Sequence, residues 1–128
     1  MRELKENLDR LAGKRVLIVG DVVADQFLRG TISRVSREAP VFILRHDSTD
    51  TVPGGAANAA VNVASLGGEA ILIGVDGDDA QGDLLSASLL KSGVSDELIV
   101  KRQGSRTTTK QRVLAGQHYA PQQQVIRI

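Results

Sequence analysis

The chain has 128 residues, 41% hydrophobic and 24% charged, a balance that fits a single globular α/β domain with its own core. Sixteen basic and fifteen acidic residues leave a formal charge of +1, and Phe27, Phe42 and Tyr119 are too few for base stacking, so no nucleic-acid partner is expected. Cysteine is absent, which excludes disulfide frameworks, thiolate zinc sites and cysteine nucleophiles; with no signal-like segment and no run of about 18 apolar residues, the expectation is a cytoplasmic protein without a membrane partner.

Leu4, Leu8 and Leu11 recur at helical spacing and predict a short amphipathic helix ending near Gly13. RVLIVGD, residues 15–21, is a continuous apolar run bounded by charge and Gly20, which predicts a buried parallel strand. DQFLRGTISRV (25–35) and APVFILRHDS (39–48) are β-prone, with the turn-like SREAP between them; they predict an exposed flap over about 25–45. After Pro53 and two glycines, Ala56 to Leu66 has helical composition and LGG supplies its stop.

EAILIGVDG (69–77) predicts a second buried strand, and DAQGDLLSASLLKSG (79–93) a helix with Leu84, Leu85, Leu89 and Leu90 inward and Gly93 at its end. DELIVKR (96–102) and TTTKQRVLA (107–115) predict strands, GQHYAPQ a hairpin connection, and QQVIRI one more strand. The order is α/β, with parallel pairing favoured for the early strands. Ile128 falls inside an apolar run with no turn or cap, so an incomplete domain is expected.

Neither a P-loop, GxxxxGK[ST], nor a GxGxxG fingerprint after the first strand is present. What stands out is Gly54-Gly55 leading into a helix with Asn58 in its first turn. Glycines let a ligand approach the backbone, helix-start N–H groups attract oxygen, and an amide both donates to and accepts from hydroxyls. The competing reading is a tight turn whose helix is capped by Asn58.

The longer pattern is more specific. Gly-Gly-Ala-Ala-Asn-Ala-Ala from Gly54, then Gly67 and Gly77 at their spacings, resembles the first signature of the PfkB (ribokinase-like) carbohydrate kinases. VLIVGDVVAD, SRVSREAPV, TTTKQRVL and QQQVIRI, in that order, resemble the heptose 7-phosphate kinases of that family.

The resemblance implies a ribokinase-like α/β fold: a mainly parallel sheet flanked by helices, with a small β flap as lid. Residues 1–128 would be the N-terminal, sugar-binding part. It implies ATP-dependent phosphorylation of a sugar or sugar phosphate, heptose 7-phosphate foremost, by in-line attack of a sugar hydroxyl, and a homodimer paired through the flap strands. ATP and Mg²⁺ would be bound mainly by a later half. That half carries the family's Gly-Ala-Gly-Asp motif, which this sequence lacks, so no catalytic residue is assigned here and the 128 residues alone are expected to be inactive.

Residue by residue, the resemblance places Asp25, Gly54, Gly55 and Asn58 against the sugar; Asp21, which also follows the first strand, could accept from a substrate hydroxyl or instead form a turn or cap local N–H groups. Lys110 and Arg112, two apart on a strand, face one side; they could clamp the phosphate or form a solvated strand face, and Arg34 and Arg37 could reach the same phosphate. Two departures bear on the sugar: QFLRG follows Asp25 where the heptose kinases carry several aromatics, and Arg37 replaces a proline. The alternative is a non-catalytic sugar-binding or dimerisation module.

DGDD, 76–79, could bind a hard cation but lacks the EF-hand pattern, and a turn with an acidic helix N-terminus explains it better; no metal ligand is assigned. His46, His118 and Ser65 lack any catalytic context.

Overall fold

A computed structural model describes the backbone of residues 2–117 and 121–128, and side chains from residue 6 onward within them. His118 and the middle of the GQHYAPQ connection lie outside the described residues. The elements in chain order are α1 (Arg2–Asp9), β1 (Arg15–Val19), β2 (Val22–Val35), β3 (Phe42–Gly55), α2 (Ala56–Ser65), β4 (Glu69–Gly77), α3 (Ala80–Lys91), β5 (Ile99–Arg102), β6 (Thr109–Gly116) and β7 (Gln123–Arg127). They fall into two compact units, residues 1–24 with 52–108, and residues 25–51 with 109–128.

The first unit is built on a parallel sheet of order β1-β4-β5, with Val19 opposite Ile73 and Gly74 opposite Ile99. Its core joins Ala57 and Ala60 of α2 and Leu85 and Leu89 of α3 to Leu72 and Ile99 of the sheet, together with Val22, Ala24 and Val94. Both helices thus cover the same sheet face. Small residues on α2 let it lie close to the strands, and Gly20 meets Ala56 directly, since a Cβ there would stand 3.2 Å from the Ala56 Cβ. The helices stop where expected, at Gly67 and Gly93, both with positive φ.

No described helix covers the other face of this sheet, which corrects the expectation of a first strand buried throughout. Leu17 is 61% and Val19 69% exposed, and Ile73, Val75 and Val100 are exposed beside them. Parallel strands carry apolar residues on both faces, but burial needs a covering layer on each, and α2 and α3 cover one. The expectation for α3 is corrected as well: Leu85 and Leu89 are fully buried, whereas Leu84 is 49% and Leu90 57% exposed. At about 100° per residue, a one-turn pair such as 85 and 89 shares a face that 84 and 90 cannot also occupy.

The second unit is the flap, a four-stranded sheet of order β3-β2-β6-β7. Partners of β2 fall in reverse order along β3: Gln26 Nε2 donates to Thr51 Oγ1, Thr31 Oγ1 to Asp47, and Ser33 Oγ to the Ile43 carbonyl. The two strands therefore form an antiparallel arm. β6 and β7 are also antiparallel, with Arg112 opposite Arg127 and a register shift between Val113 and Leu114. The arm is longer than the predicted flap, because β3 continues through Pro53 to Gly55 where a loop was expected. β3 is an edge strand, and an edge tolerates a proline that cannot donate to a ladder.

Candidate functional site

The sequence-predicted residues divide between the two units. Gly54, Gly55 and Asn58 belong to the first; Asp25, Lys110 and Arg112 belong to the second.

In the first unit the chain passes from β3 into α2 with no intervening loop. Gly55 makes the passage at φ +58°, ψ −130°, a conformation that an L side chain resists. A Cβ there would also stand 2.5 Å from the Asp21 carbonyl oxygen. That oxygen accepts the Ala56 N–H at 2.9 Å, so the backbone of Asp21, not its carboxylate, ties down the helix start. Gly54 is buried beneath this junction.

Among the described residues no side chain caps α2. Asn58 is exposed and its amide has no hydrogen bond among the described residues, which removes the capping reading. The first turn of α2 thus presents backbone donors and one uncommitted amide, a set suited to neutral or anionic oxygen atoms.

In the second unit Asp25 lies inside β2. Strand alternation puts Asp25, Phe27 and Arg29 on one face, while Gln26 and Gly30 on the other are buried. Arg112 of β6 donates to Asp25 at 2.5 Å; their side chains are 20% and 18% exposed. The Arg112 guanidinium also lies 4.9 Å from the centroid of the Phe27 ring, within cation–π range. Arg29 lies 5.8 Å from the same centroid and is itself paired with Asp50.

Lys110 is partly buried, shares the strand face of Arg112, and makes no ion pair among the described residues. Arg34 and Arg37 are exposed and likewise make none. Arg34 lies nine residues along β2 from Asp25, about 30 Å of strand, and does not join this cluster.

DGDD is a structural turn. Asp79 Oδ1 accepts from the Gly82 N–H at 2.9 Å and caps α3. It also accepts from Thr107 Oγ1 at 2.7 Å, while Oδ2 accepts from the Thr107 N–H at 3.0 Å. The Thr107 hydroxyl, followed by the Gly82 and Thr107 amides, lowers the Asp79 pKa to about 2. No group of three or more His, Asp or Glu residues is placed to hold a metal ion among the described residues. His46 is exposed and hydrogen-bonded to Thr49 Oγ1 at 2.9 Å.

Sequence reasoning missed Phe27 and Arg29 as companions of Arg112, and Thr107 as the second anchor of Asp79. The two-residue spacing of Asp25, Phe27 and Arg29 would have put them on one face, but nothing local names the strand beside them.

The pfkB family carbohydrate kinase model matches residues 14–121. The bifunctional protein HldE of Hyphomonas neptunium is 51% identical over 112 residues, covering 87% of this chain and 23% of that protein, so the chain spans about a quarter of this curated relative. The fold is ribokinase-like: a ribokinase of Arabidopsis thaliana, solved with ribose and ATP, superposes with a TM-score of 0.60 at 22% identity, covering 91% of this chain and 36% of that one. A fructokinase of Xylella fastidiosa with bound ATP gives a TM-score of 0.54 at 29% identity, covering 80% and 30%.

Proposed function

The chain belongs to the pfkB family of carbohydrate kinases, and from that premise we propose that it supplies the sugar-binding part of an ATP-dependent kinase acting on a sugar phosphate, heptose 7-phosphate foremost. The observation that carries this reading is the β3–α2 junction. Gly55 holds a conformation that other residues resist, and the helix it opens carries the Asn58 amide without a hydrogen bond among the described residues, while the Asp21 carbonyl takes the Ala56 N–H.

Asn58 donates to and accepts from sugar hydroxyls, the α2 N–H groups receive oxygen atoms, and Asp25 accepts a hydroxyl proton in a charge-assisted bond. Lys110 and Arg112 attract a phosphate already on the sugar. ATP, which the Xylella fructokinase binds, supplies the transferred phosphoryl group. No group of three or more acidic or histidine residues placed to hold Mg²⁺ occurs among the described residues.

The protein is assigned to the cytoplasm, and its flap strands are assigned to pairing between two copies, supported by Val35, Val41 and Phe42, each more than half exposed. The second reading is a non-catalytic sugar-binding or dimerisation module. Assaying ATP-dependent phosphorylation of heptose 7-phosphate separates the two, using the full natural protein and the 128-residue chain. Turnover by the former and none by the latter is expected. Normal turnover by the 128 residues would overturn the sugar-side assignment, and no transfer to any sugar by the full protein would favour the binding module.

A further inference from the structure

Arg112 cannot be a freely waiting phosphate clamp, because its guanidinium is already engaged twice. It donates to Asp25 at 2.5 Å and rests 4.9 Å from the Phe27 ring centroid. Asp25 is equally engaged, and both side chains are about four-fifths covered, where a charge pair is less screened than at the surface. One carboxylate cannot give its best geometry both to a guanidinium and to a sugar hydroxyl.

We propose that Arg112 is a latch on Asp25. It holds the carboxylate while no anion is present, and moves to the phosphoryl group of an incoming sugar phosphate, which frees Asp25 to take a hydroxyl. This deepens the sugar-phosphate reading above and rests on it for the role of Asp25. The latch selects sugars that carry a phosphate, because an uncharged sugar offers Arg112 nothing in exchange for the ion pair.

The surroundings fit such an exchange. A planar guanidinium pairs with carboxylate and phosphate through the same fork of donors, so the swap conserves its hydrogen bonds. Phe27 provides a face on which the guanidinium can pivot without losing its cation–π contact. Arg29 lies near the same ring but is tethered to Asp50, so it does not follow Arg112. Lys110, on the Arg112 face and without an ion pair among the described residues, adds positive charge where the phosphate would arrive.

The latch makes a prediction opposite to that of a purely structural salt bridge: removing the carboxylate should strengthen anion binding. The test uses the full natural protein, with inorganic phosphate titrated calorimetrically and circular dichroism confirming folding. Asp25→Asn should bind phosphate about tenfold more tightly than the wild type, the scale of one charge-assisted hydrogen bond. Arg112→Met should lose that binding and Arg112→Lys should keep part of it. Asp47→Asn removes an equal charge from β3 of the same unit and should change phosphate affinity less than about twofold. Equal gains in Asp25→Asn and Asp47→Asn, or no gain in Asp25→Asn, would overturn the latch. Wild-type turnover on heptose 7-phosphate, measured separately, reports on the kinase reading and leaves these outcomes independent of it.

Discussion

Asp79 and Thr107 lie 28 positions apart and lock together through two hydrogen bonds, 2.7 Å from the threonine hydroxyl and 3.0 Å from its amide. The same carboxylate caps α3, and the Thr107 hydroxyl also accepts the Gly77 N–H at 3.1 Å. One aspartate therefore ties a helix start to the loop that leads into β6.

These donors favour the charged carboxylate, so folding lowers the Asp79 pKa from 3.8 to about 2. The linked stability is complete above the unfolded value and is lost as the pH falls from about 4 toward 2. Thr107→Val should bring the Asp79 pKa back toward its ordinary value and move the acid-unfolding midpoint upward. An acid titration followed by circular dichroism from pH 5 to 2 reads this directly; superimposable curves for the two proteins would refute it.

Asp76 shows the opposite linkage. It is 4% exposed, and neither carboxylate oxygen has a hydrogen-bond partner among the described residues. Burial raises its pKa; Lys101 opposes that shift, while Asp79, Asp83 and Asp96 add to it. A raised folded pKa makes stability greatest below the unfolded value and diminishes it as the pH rises through the folded one. An orphaned buried polar group costs about 1–3 kcal/mol. Asp76→Asn should accordingly be neutral or stabilising at pH 7 and should flatten the pH dependence above about pH 4. Chemical denaturation at several pH values checks this, and a large loss at pH 7 would mean that the charged carboxylate is needed.

Gly55 combines a positive φ with a carbonyl 2.5 Å from where a Cβ would sit. Gly55→Ala must displace either the Asp21 backbone or the start of α2. A destabilisation of about 2 kcal/mol or more is expected, from the disfavoured positive-φ conformation (about 1–3 kcal/mol) and the backbone clash together. Urea denaturation measures it; a cost below about 0.5 kcal/mol would show that the junction relaxes freely.

Asn58 separates binding from stability. Exposed and without a hydrogen bond among the described residues, it should tolerate Asn58→Ala within about 0.5 kcal/mol. If it contacts the sugar, the same substitution should lower kcat/KM for the sugar phosphate by about tenfold or more, the loss of one or two hydrogen bonds. A stable variant with unchanged kcat/KM would remove Asn58 from the site.

Much of this molecule follows from its local sequence. The helix from Ala56, the strand over 69–77 and the stops at Gly67 and Gly93 are legible because glycine backbone freedom and apolar periodicity act within a few residues. The shared faces of Asp25 with Phe27, and of Lys110 with Arg112, follow from strand alternation alone. Tertiary structure decided which faces are covered and which charges meet. Leu17 and Val19 read as core, yet they are exposed because helices cover only the other face of their sheet. Leu84 and Leu90 read as inward, yet the helix turns them away from the strands. The Asp25–Arg112 pair spans 87 positions and exists only because β6 lies beside β2 in the flap sheet. Periodicity reports which residues point together; only the packing of distant segments determines what they point at.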